Sequence, residues 1–190
     1  KDMENEWKIL DKLAKYPTFG NVNDGKPIGI IGEGHLHETL DKEFMSEKPT
    51  GGLLIRGVHV RRYFVDVSPD GEQPRWVKRE AFLKHKPSAK ILIQNYPIII
   101  GRERFHVEEF PKLKFTLLEK PLLLSNKVRF MIINDLQFQK LFVLGLLNSI
   151  LYEWRFAIFS YQQGLKKYEM EEFPIVRTTP DQQAPIISLV

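Results

Sequence analysis

A long apolar stretch between Leu136 and Ser160 is the feature that most restricts how this chain can fold. Its apolar residues occupy most of the circumference of a helix, with Leu147, Ile150 and Trp154 on one face. A helix that is apolar on most sides must be packed against neighbours on several of them. The stretch therefore predicts one long, buried helix in the C-terminal part, surrounded by other elements.

The segments before this stretch favour strands. Runs of β-branched and other apolar residues, bounded by turn residues, are typical of strands. We predict strands at Leu53–Val60, Tyr63–Val67, Lys90–Gln94, Ile98–Ile100, Lys112–Leu118, Leu122–Leu124 and Val128–Ile133. Strands followed by a long helix predict an α+β fold, with a mixed or antiparallel sheet in the central part. We expect a single domain over residues 1–178, of which 1–38 form an N-terminal arm or linker, and then a tail over 179–190.

Positive charge is concentrated in the middle of the chain. The net charge of the whole sequence is only +4. Residues 51–104, however, carry 11 Lys and Arg against 5 Asp and Glu, whereas the flanking segments are close to neutral or acidic. A basic segment of this kind favours an acidic partner, although runs of charge also occur on ordinary solvated faces.

Cysteine usage and hydropathy bear on the compartment. The sequence has no cysteine, which excludes disulfides and thiolate metal sites and is typical of a reducing cytoplasm. The longest apolar run, Leu141–Leu147, is far shorter than the roughly 20 residues of a membrane-spanning helix. We therefore expect a cytoplasmic protein without a membrane partner. We expect no signal peptide, because the first residues are charged rather than apolar. Because the chain starts at Lys1 rather than at a methionine, we expect it to be a segment cut from a longer protein.

Motifs that carry catalysis are absent from the sequence. The pair Gly32 and Gly34 does not extend to a dinucleotide-binding glycine pattern, and no serine lies in a nucleophile-elbow context. His35, His37 and Glu38 place possible metal ligands close together, but nothing marks the further ligands that a metal site needs. We expect no catalytic, cofactor-binding or metal-binding residues in this chain, and an enzyme of unrecognised type remains an alternative.

Residue types suited to DNA lie in the basic segment. Arginine matches phosphate oxygens and the acceptor edge of guanine, and Gln and Asn match adenine. The alternation of a strand would place Arg56 and Arg62 on one face and His59 and Arg61 on the other. The candidate DNA-contacting residues are Arg56, His59, Arg61, Arg62, Lys78, Arg79, Gln94, Asn95, Arg102 and Arg104. The same cations would also serve as surface salt-bridge partners.

Four segments, preceded by a similar lead-in at Thr39–Phe44, resemble one family in the same order. Leu53–Tyr63 is similar to a Leu-Leu-Arg-Gly-x-x-Val/Ile-x-Arg-Tyr stretch, and Ala89–Gln94 to a strand that ends in Gln. Leu144–Phe156 resembles a Leu-Leu-Asn-Ser-Lys-Leu helix, with Ile150 in place of the lysine, and Tyr168–Ile175 resembles a closing Leu-Pro-Ile segment. The family is the TaqI-like C-terminal specificity domain of N6-adenine DNA methyltransferases and type IIG restriction–modification enzymes.

The resemblance implies a target recognition domain. Such a domain would hold double-stranded DNA against a separate catalytic domain of the same parent chain, which binds S-adenosylmethionine and flips adenine. No cofactor is expected in this chain; S-adenosylmethionine, and Mg²⁺ if the parent also cleaves DNA, belong to the parent domains. Asn148 and Ser149 are expected to bond within the scaffold. A protein-interaction or scaffold module that does not contact DNA is the alternative from another class.

Overall fold

The computed structural model describes residues 2–22, 25–49, 51–69, 71–160 and 163–190, and these form two four-stranded sheets. The first sheet is antiparallel and consists, in spatial order, of β1 (Gly29–Glu33), β8 (Val128–Ile133), β5 (Ile98–Arg102) and β6 (Phe115–Leu118). The second consists of β2 (Met45–Ser46), β4 (Trp76–Lys78), β3 (Gly51–Ile55) and β7 (Leu123–Leu124). It is mixed, because β3 pairs parallel with β7 and antiparallel with β4.

Helices pack against both sheets. In chain order they are α1 (Asp2–Leu13), α2 (Arg79–His85), α3 (Lys90–Gln94), α4 (Lys140–Leu147), α5 (Ile150–Phe159), α6 (Lys167–Glu171) and α7 (Pro180–Ile187). Helix α4 packs against β6, β5 and α7, and α2 packs against β3 and β4. The α+β class predicted from the sequence is confirmed. The sequence predicts one mixed or antiparallel sheet in the central part, whereas the structure has two sheets, one antiparallel and one mixed.

The first sheet is buried on both faces. Its strands alternate, as the period of two demands: Ile99 and Met131 point into a core shared with α4 and α5, while Ile98, Ile100 and Phe130 point into a second core. The second core also takes Ile55 of β3 and therefore joins the two sheets. This double burial explains why the sequence of these strands is almost continuously apolar.

The single long C-terminal helix predicted from Leu136 to Ser160 is wrong. Two helices, α4 and α5, meet there at an angle of 55°. Ser149 separates them: its backbone is extended (ψ 153°), and its hydroxyl accepts a hydrogen bond from the N–H of Tyr152. Such a serine N-cap starts a new helix, and the apolar composition on either side does not reveal it.

Asn148 lies in the bend and is bonded inside the protein. Its side-chain carbonyl accepts from the N–H of Phe115 and its NH₂ group donates to the carbonyl of Phe115, both at 2.9 Å. The predicted scaffold role of Asn148 and Ser149 is confirmed. The two hydrogen bonds of Asn148 attach the bend between α4 and α5 to β6, the outer strand of the first sheet.

Three predicted strands differ in the structure. Tyr63–Val67 is not a strand: it contributes only an isolated bridge between Val60 and Val65, because the chain turns back at Arg62 and Tyr63. Strand β3 ends at Ile55 rather than at Val60, because Arg56 begins a 3₁₀ turn over Gly57–His59. The residues Lys90–Gln94 form helix α3, since a 3₁₀ turn that starts at Pro87 leads directly into it. The predicted alternation of arginines along Leu53–Arg62 is therefore wrong.

Residues from the predicted arm and tail contribute to the packed structure. Strand β1 pairs with β8 over its full length, and Ile28 and Leu36 are buried. At the other end, Gln183 of α7 is buried and accepts a hydrogen bond from the N–H of Gln139. The domain boundaries themselves stay predictions.

Candidate nucleic-acid interface

Arg56 lies in a network of carboxylates. Its Nε donates to Glu38 at 3.0 Å and its Nη1 donates to Glu72, while Arg75 donates to the second oxygen of Glu38 at 2.8 Å. Only 18% of the Arg56 side chain is exposed. Burial disfavours the charged guanidinium, but the two carboxylates outweigh this and raise the pKa of Arg56. The charge of Arg56 is thus compensated within the protein.

His59 closes the same turn. It is fully buried, and its Nδ1 accepts from the backbone N–H of Arg56 at 3.2 Å. Its Nε2 has no hydrogen-bond partner in the described part of the chain. Burial first, and the nearby positive charge of Arg56 second, lower the pKa of His59. The imidazole therefore stays neutral and supports the turn from inside.

Arg62 bridges the turn to the helical layer. Its Nε donates to the carbonyl of Leu113 at 2.9 Å and its Nη2 to Glu153 of α5 at 3.0 Å. The same Glu153 carboxylate, 3% exposed, accepts the backbone N–H groups of Lys112 and Leu113. Arg61, next to Arg62, lies 3.5 Å from Asp66 in a pair that is about one-third exposed on either side.

Arg102 and Arg104 line a basic cleft of about 420 Å³ at the end of β5. We use "basic cleft" for the space lined by Arg102, Glu103, Arg104, Phe105, His106, Gln163, Gly164 and Lys166. Arg104 and His106 are exposed. The one carboxylate in the lining, Glu103, is buried and lies 3.4 Å from Arg129 and 3.7 Å from Lys166. Cations therefore outnumber carboxylates in this cleft.

Glu109 sets the charge just beside the basic cleft. It lies 2.8 Å from the Nη1 of Arg102 and also accepts from Lys114. Burial alone would raise its pKa, but the hydrogen bonds from Lys114 and from the N–H of His106, with the charge of Arg102, hold the pKa of Glu109 below its ordinary value. Arg102 is thus fixed in place, whereas Arg104 projects from the rim.

The remaining candidates for DNA contact are Lys78, Arg79, Gln94 and Asn95. Lys78 and Arg79 border an open cleft of about 570 Å³ between β4 and α2, and Lys78 donates to the carbonyl of Glu43 at 2.9 Å. Gln94 is exposed, whereas the side-chain NH₂ of Asn95 donates to the carbonyl of Ile91 within α3. Burial raises the pKa of Tyr96 to about 12, although the hydrogen bond with the backbone of Leu122 and the charge of Arg79 act in the opposite direction.

Gly57 brings the turn next to the basic cleft. A Cβ atom on Gly57 would lie 3.0 Å from the carbonyl oxygen of Lys127 and 3.8 Å from Cγ of Arg102. The absence of a side chain at Gly57 therefore allows a close approach to the backbone of Lys127. The structure thus brings the turn after Arg56 next to Arg102.

Sequence reasoning missed the partners of these cations. Glu38, Glu72, Glu109 and Glu153 engage the predicted arginines, although most of them are distant from their partners in the sequence. The overall balance of 24 acidic against 28 basic residues was the available signal, because most arginines then find a carboxylate. His106, Gln163 and Lys166 were also missed as part of the basic cleft, since all three lie outside the basic segment.

The described residues offer neither a metal centre nor a membrane span. No group of three or more His, Asp or Glu side chains in these ranges is arranged to hold a metal ion. Glu38 is engaged by Arg56 and Arg75, and the ring of His35 stacks on Phe130 at 6.2 Å. In the same ranges no single helix has the length and apolar character to cross a membrane, and the bent pair α4 and α5 reaches both only when taken together.

Comparison with known proteins gives no assignment: no family model matches the chain, and no curated protein matches it.

Proposed function

We propose that this chain is a double-stranded DNA recognition domain of a restriction–modification enzyme and is not catalytic by itself. The observation that carries the proposal is the basic cleft at the end of β5, where Arg104, His106 and Lys166 surround a single buried carboxylate. The order of the four segments that resemble the TaqI-like specificity domain supports the same function.

Electrostatics favour phosphate groups as the ligands of the basic cleft. Glu103 is shared between Arg129 and Lys166, so it does not cancel the charge of Arg104. Arginine and lysine that face solvent release counterions from DNA when they bind its phosphates, and this supplies most of the non-specific affinity. Arg104 and Lys166 are therefore proposed to hold phosphates, with Lys78 and Arg79 in a second basic position.

Base readout is proposed for candidates with free hydrogen-bonding groups. Gln94 is exposed, which suits a contact to adenine. Arg56 and Arg62 are occupied by carboxylates, so each would have to exchange an internal ion pair for a base. The predicted contacts of Arg56, His59, Arg61, Arg62, Asn95 and Arg102 stay predictions.

The parent enzyme is proposed from the resemblance. It would be a cytoplasmic N6-adenine DNA methyltransferase, with or without endonuclease activity, whose catalytic domain binds S-adenosylmethionine. In that assembly this chain supplies the contact with duplex DNA, and the chemistry takes place on the other domain.

Fluorescence polarisation with a labelled mixed-sequence duplex at several salt concentrations tests the proposal. We expect affinity that falls steeply with salt, and Arg104→Ala combined with Lys166→Ala should lower the slope by about one for each phosphate that is no longer bound. Lys120→Ala is the matched control, because Lys120 is exposed beyond the opposite end of β6. Absence of salt-dependent binding to DNA would exclude the proposed function for this chain.

A further inference from the structure

A tight hairpin follows the Arg56 turn. Val60 and Val65 form an antiparallel bridge, and the N–H of Arg61 donates to the carbonyl of Phe64 at 3.1 Å. Only Arg62 and Tyr63 lie between the hydrogen-bonded residues Arg61 and Phe64. Tyr63 has a φ of 71°, in the left-handed region that residues with a side chain rarely adopt, and it is the one residue other than glycine with a positive φ in the described ranges.

The surrounding structure holds this unfavourable conformation. The N–H of Tyr63 donates to the carbonyl of Phe115 at 2.9 Å, and the Arg62 side chain is bonded to Leu113 and Glu153. The hairpin tip is therefore fixed to the start of β6 and to α5. Backbone strain that is maintained by so many contacts is characteristic of functional positions.

The tip presents aromatic rings to solvent. The exposed fraction is 45% for Tyr63 and 58% for Phe64, although burial of either ring would be favourable. Tyr63 and Phe64 together are called the aromatic tip below. Glycine would adopt this φ more readily than tyrosine, and no contact in the described part of the chain explains why a tyrosine occupies the strained position.

The aromatic tip is connected through the backbone to the edge of the basic cleft. Phe115, its anchor, pairs with Gly101 of β5, and the next residues are joined by a hydrogen bond from the N–H of Arg102 to the carbonyl of Lys114. Arg102 is also the first residue of the basic cleft. A ligand bound along the basic cleft would therefore extend toward the aromatic tip.

We propose that Tyr63 and Phe64 stack on nucleobases of the DNA that the basic cleft holds. This inference rests on the proposed function and assigns a part of it to these two side chains. In a duplex the faces of the bases are covered by neighbouring bases, so this contact requires a ring to insert between two base pairs and kink the DNA. Stacking then accepts any base, because each has a π-face. The rigid anchoring at Phe115 keeps the rings in place for this contact.

The experiment measures binding of duplex DNA that carries 2-aminopurine, together with polarisation of a labelled mixed-sequence duplex. Phe64→Ala removes one ring. Tyr63→Gly removes the other and suits the positive φ, so the fold is retained, and urea unfolding checks this. Tyr63→Phe keeps the ring, and Trp7→Ala is the matched control because Trp7 of α1 is 65% exposed and lies outside the hairpin.

We expect Phe64→Ala and Tyr63→Gly each to weaken binding by about ten-fold, the effect of removing one base–aromatic stack, with no change in the salt slope. The change in 2-aminopurine fluorescence on binding should disappear, while Tyr63→Phe and Trp7→Ala behave as the unaltered protein. Normal affinity of both ring-removing variants, alongside salt-dependent binding, would refute the stacking role and leave the proposed function standing. Failure of the unaltered protein to bind duplex DNA would overturn both.

Discussion

The bridge between Arg62 and Glu153 lends itself to a quantitative prediction, because sequence and structure assign Arg62 different roles. The sequence predicts a DNA contact, whereas the structure has its guanidinium bonded to Leu113 and Glu153. The Glu153 carboxylate accepts three hydrogen bonds while only 3% exposed, one from Arg62 and two from backbone N–H groups. We therefore expect both side chains to contribute mainly to the free energy of unfolding.

The expected magnitudes follow from what each change leaves behind. Glu153→Ala deprives Arg62 of its counter-charge and two N–H groups of their acceptor, which should cost about 3–5 kcal/mol, as for a broken buried pair. Arg62→Ala removes the hydrogen bonds to Glu153 and to the carbonyl of Leu113 but leaves Glu153 with its two backbone donors, so it should cost about 1–3 kcal/mol. Glu153→Gln keeps one carbonyl acceptor and should fall between no effect and Glu153→Ala.

Urea unfolding of the single and double variants measures these values, and the double-variant cycle isolates the pairwise energy. Arg61→Ala is the matched control, because its pair with Asp66 at 3.5 Å is partly exposed and should contribute about 0–1 kcal/mol. The reasoning would be refuted if Arg62→Ala changed stability by less than about 0.5 kcal/mol, as at an ordinary surface position, yet weakened DNA binding. Arg62 would then be a contact residue rather than a structural bridge.

Three further predictions concern pH and packing. The pKa of His59 is lowered in the folded protein from its ordinary value of 6.5. The neutral, buried imidazole therefore contributes fully to stability above pH 6.5, and this contribution is lost as the pH falls below 6.5. His59→Gln should therefore flatten the loss of stability on acidification in thermal unfolding at several pH values, whereas His106→Gln, at an exposed position, should not. Gly29→Ala should prevent folding or destabilise the protein severely, because its Cβ would lie 1.9 Å from the carbonyl oxygen of Ile132. Gly52→Ala is the control, because its Cβ would meet only ordinary contacts at 3.6 Å or more. Soluble yield and circular dichroism distinguish the two variants. Asn148→Ala should cost about 1–3 kcal/mol in urea unfolding, because it leaves the buried N–H of Phe115 unpaired, while the carbonyl of Phe115 keeps the hydrogen bond from the N–H of Tyr63. The exposed Gln94→Ala should change stability by less than about 0.5 kcal/mol, and a similar loss in both variants would contradict this account of Asn148.

The buried strands could be predicted from the sequence because their local signal and their tertiary role agree. Val128–Ile133 is continuously apolar apart from Arg129, and it coincides with β8, which is covered on both faces. Ile98–Ile100 lies within β5 for the same reason. A strand that packs on two sides needs apolar residues at every position, so its boundaries are readable directly.

Local pattern failed where short-range signals competed. The β-branched side chains of Ile91 and Ile93 favour a strand. Ala89 and Leu92, however, are three residues apart, as on one face of a helix, and both are buried: Ala89 against the second sheet and Leu92 between the two sheets. The turn at Pro87 decides between these options. In the same way, Ser149 interrupts an apolar stretch that has the composition of one continuous helix.

The candidate interface was less predictable because it depends on pairs that are remote in sequence. Arg56 and Glu72 are 16 residues apart, and Arg62 and Glu153 are 91 residues apart. Spacing along one chain does not indicate which cations a fold will bring against carboxylates. Residue type therefore predicted the basic character of the segment, whereas the availability of each cation required the tertiary structure.

The carboxamide of Asn148 has a consequence for the solution behaviour of the protein. Phe115 belongs to β6, which has a strand neighbour on one side only, and Asn148 supplies the donor and the acceptor that a second neighbour would have offered there. An open strand of this kind recruits strands from other molecules and begins aggregation. By imitating a strand partner, the residue at the helix bend keeps the sheet from growing, so loss of this amide should appear as self-association as well as lower stability.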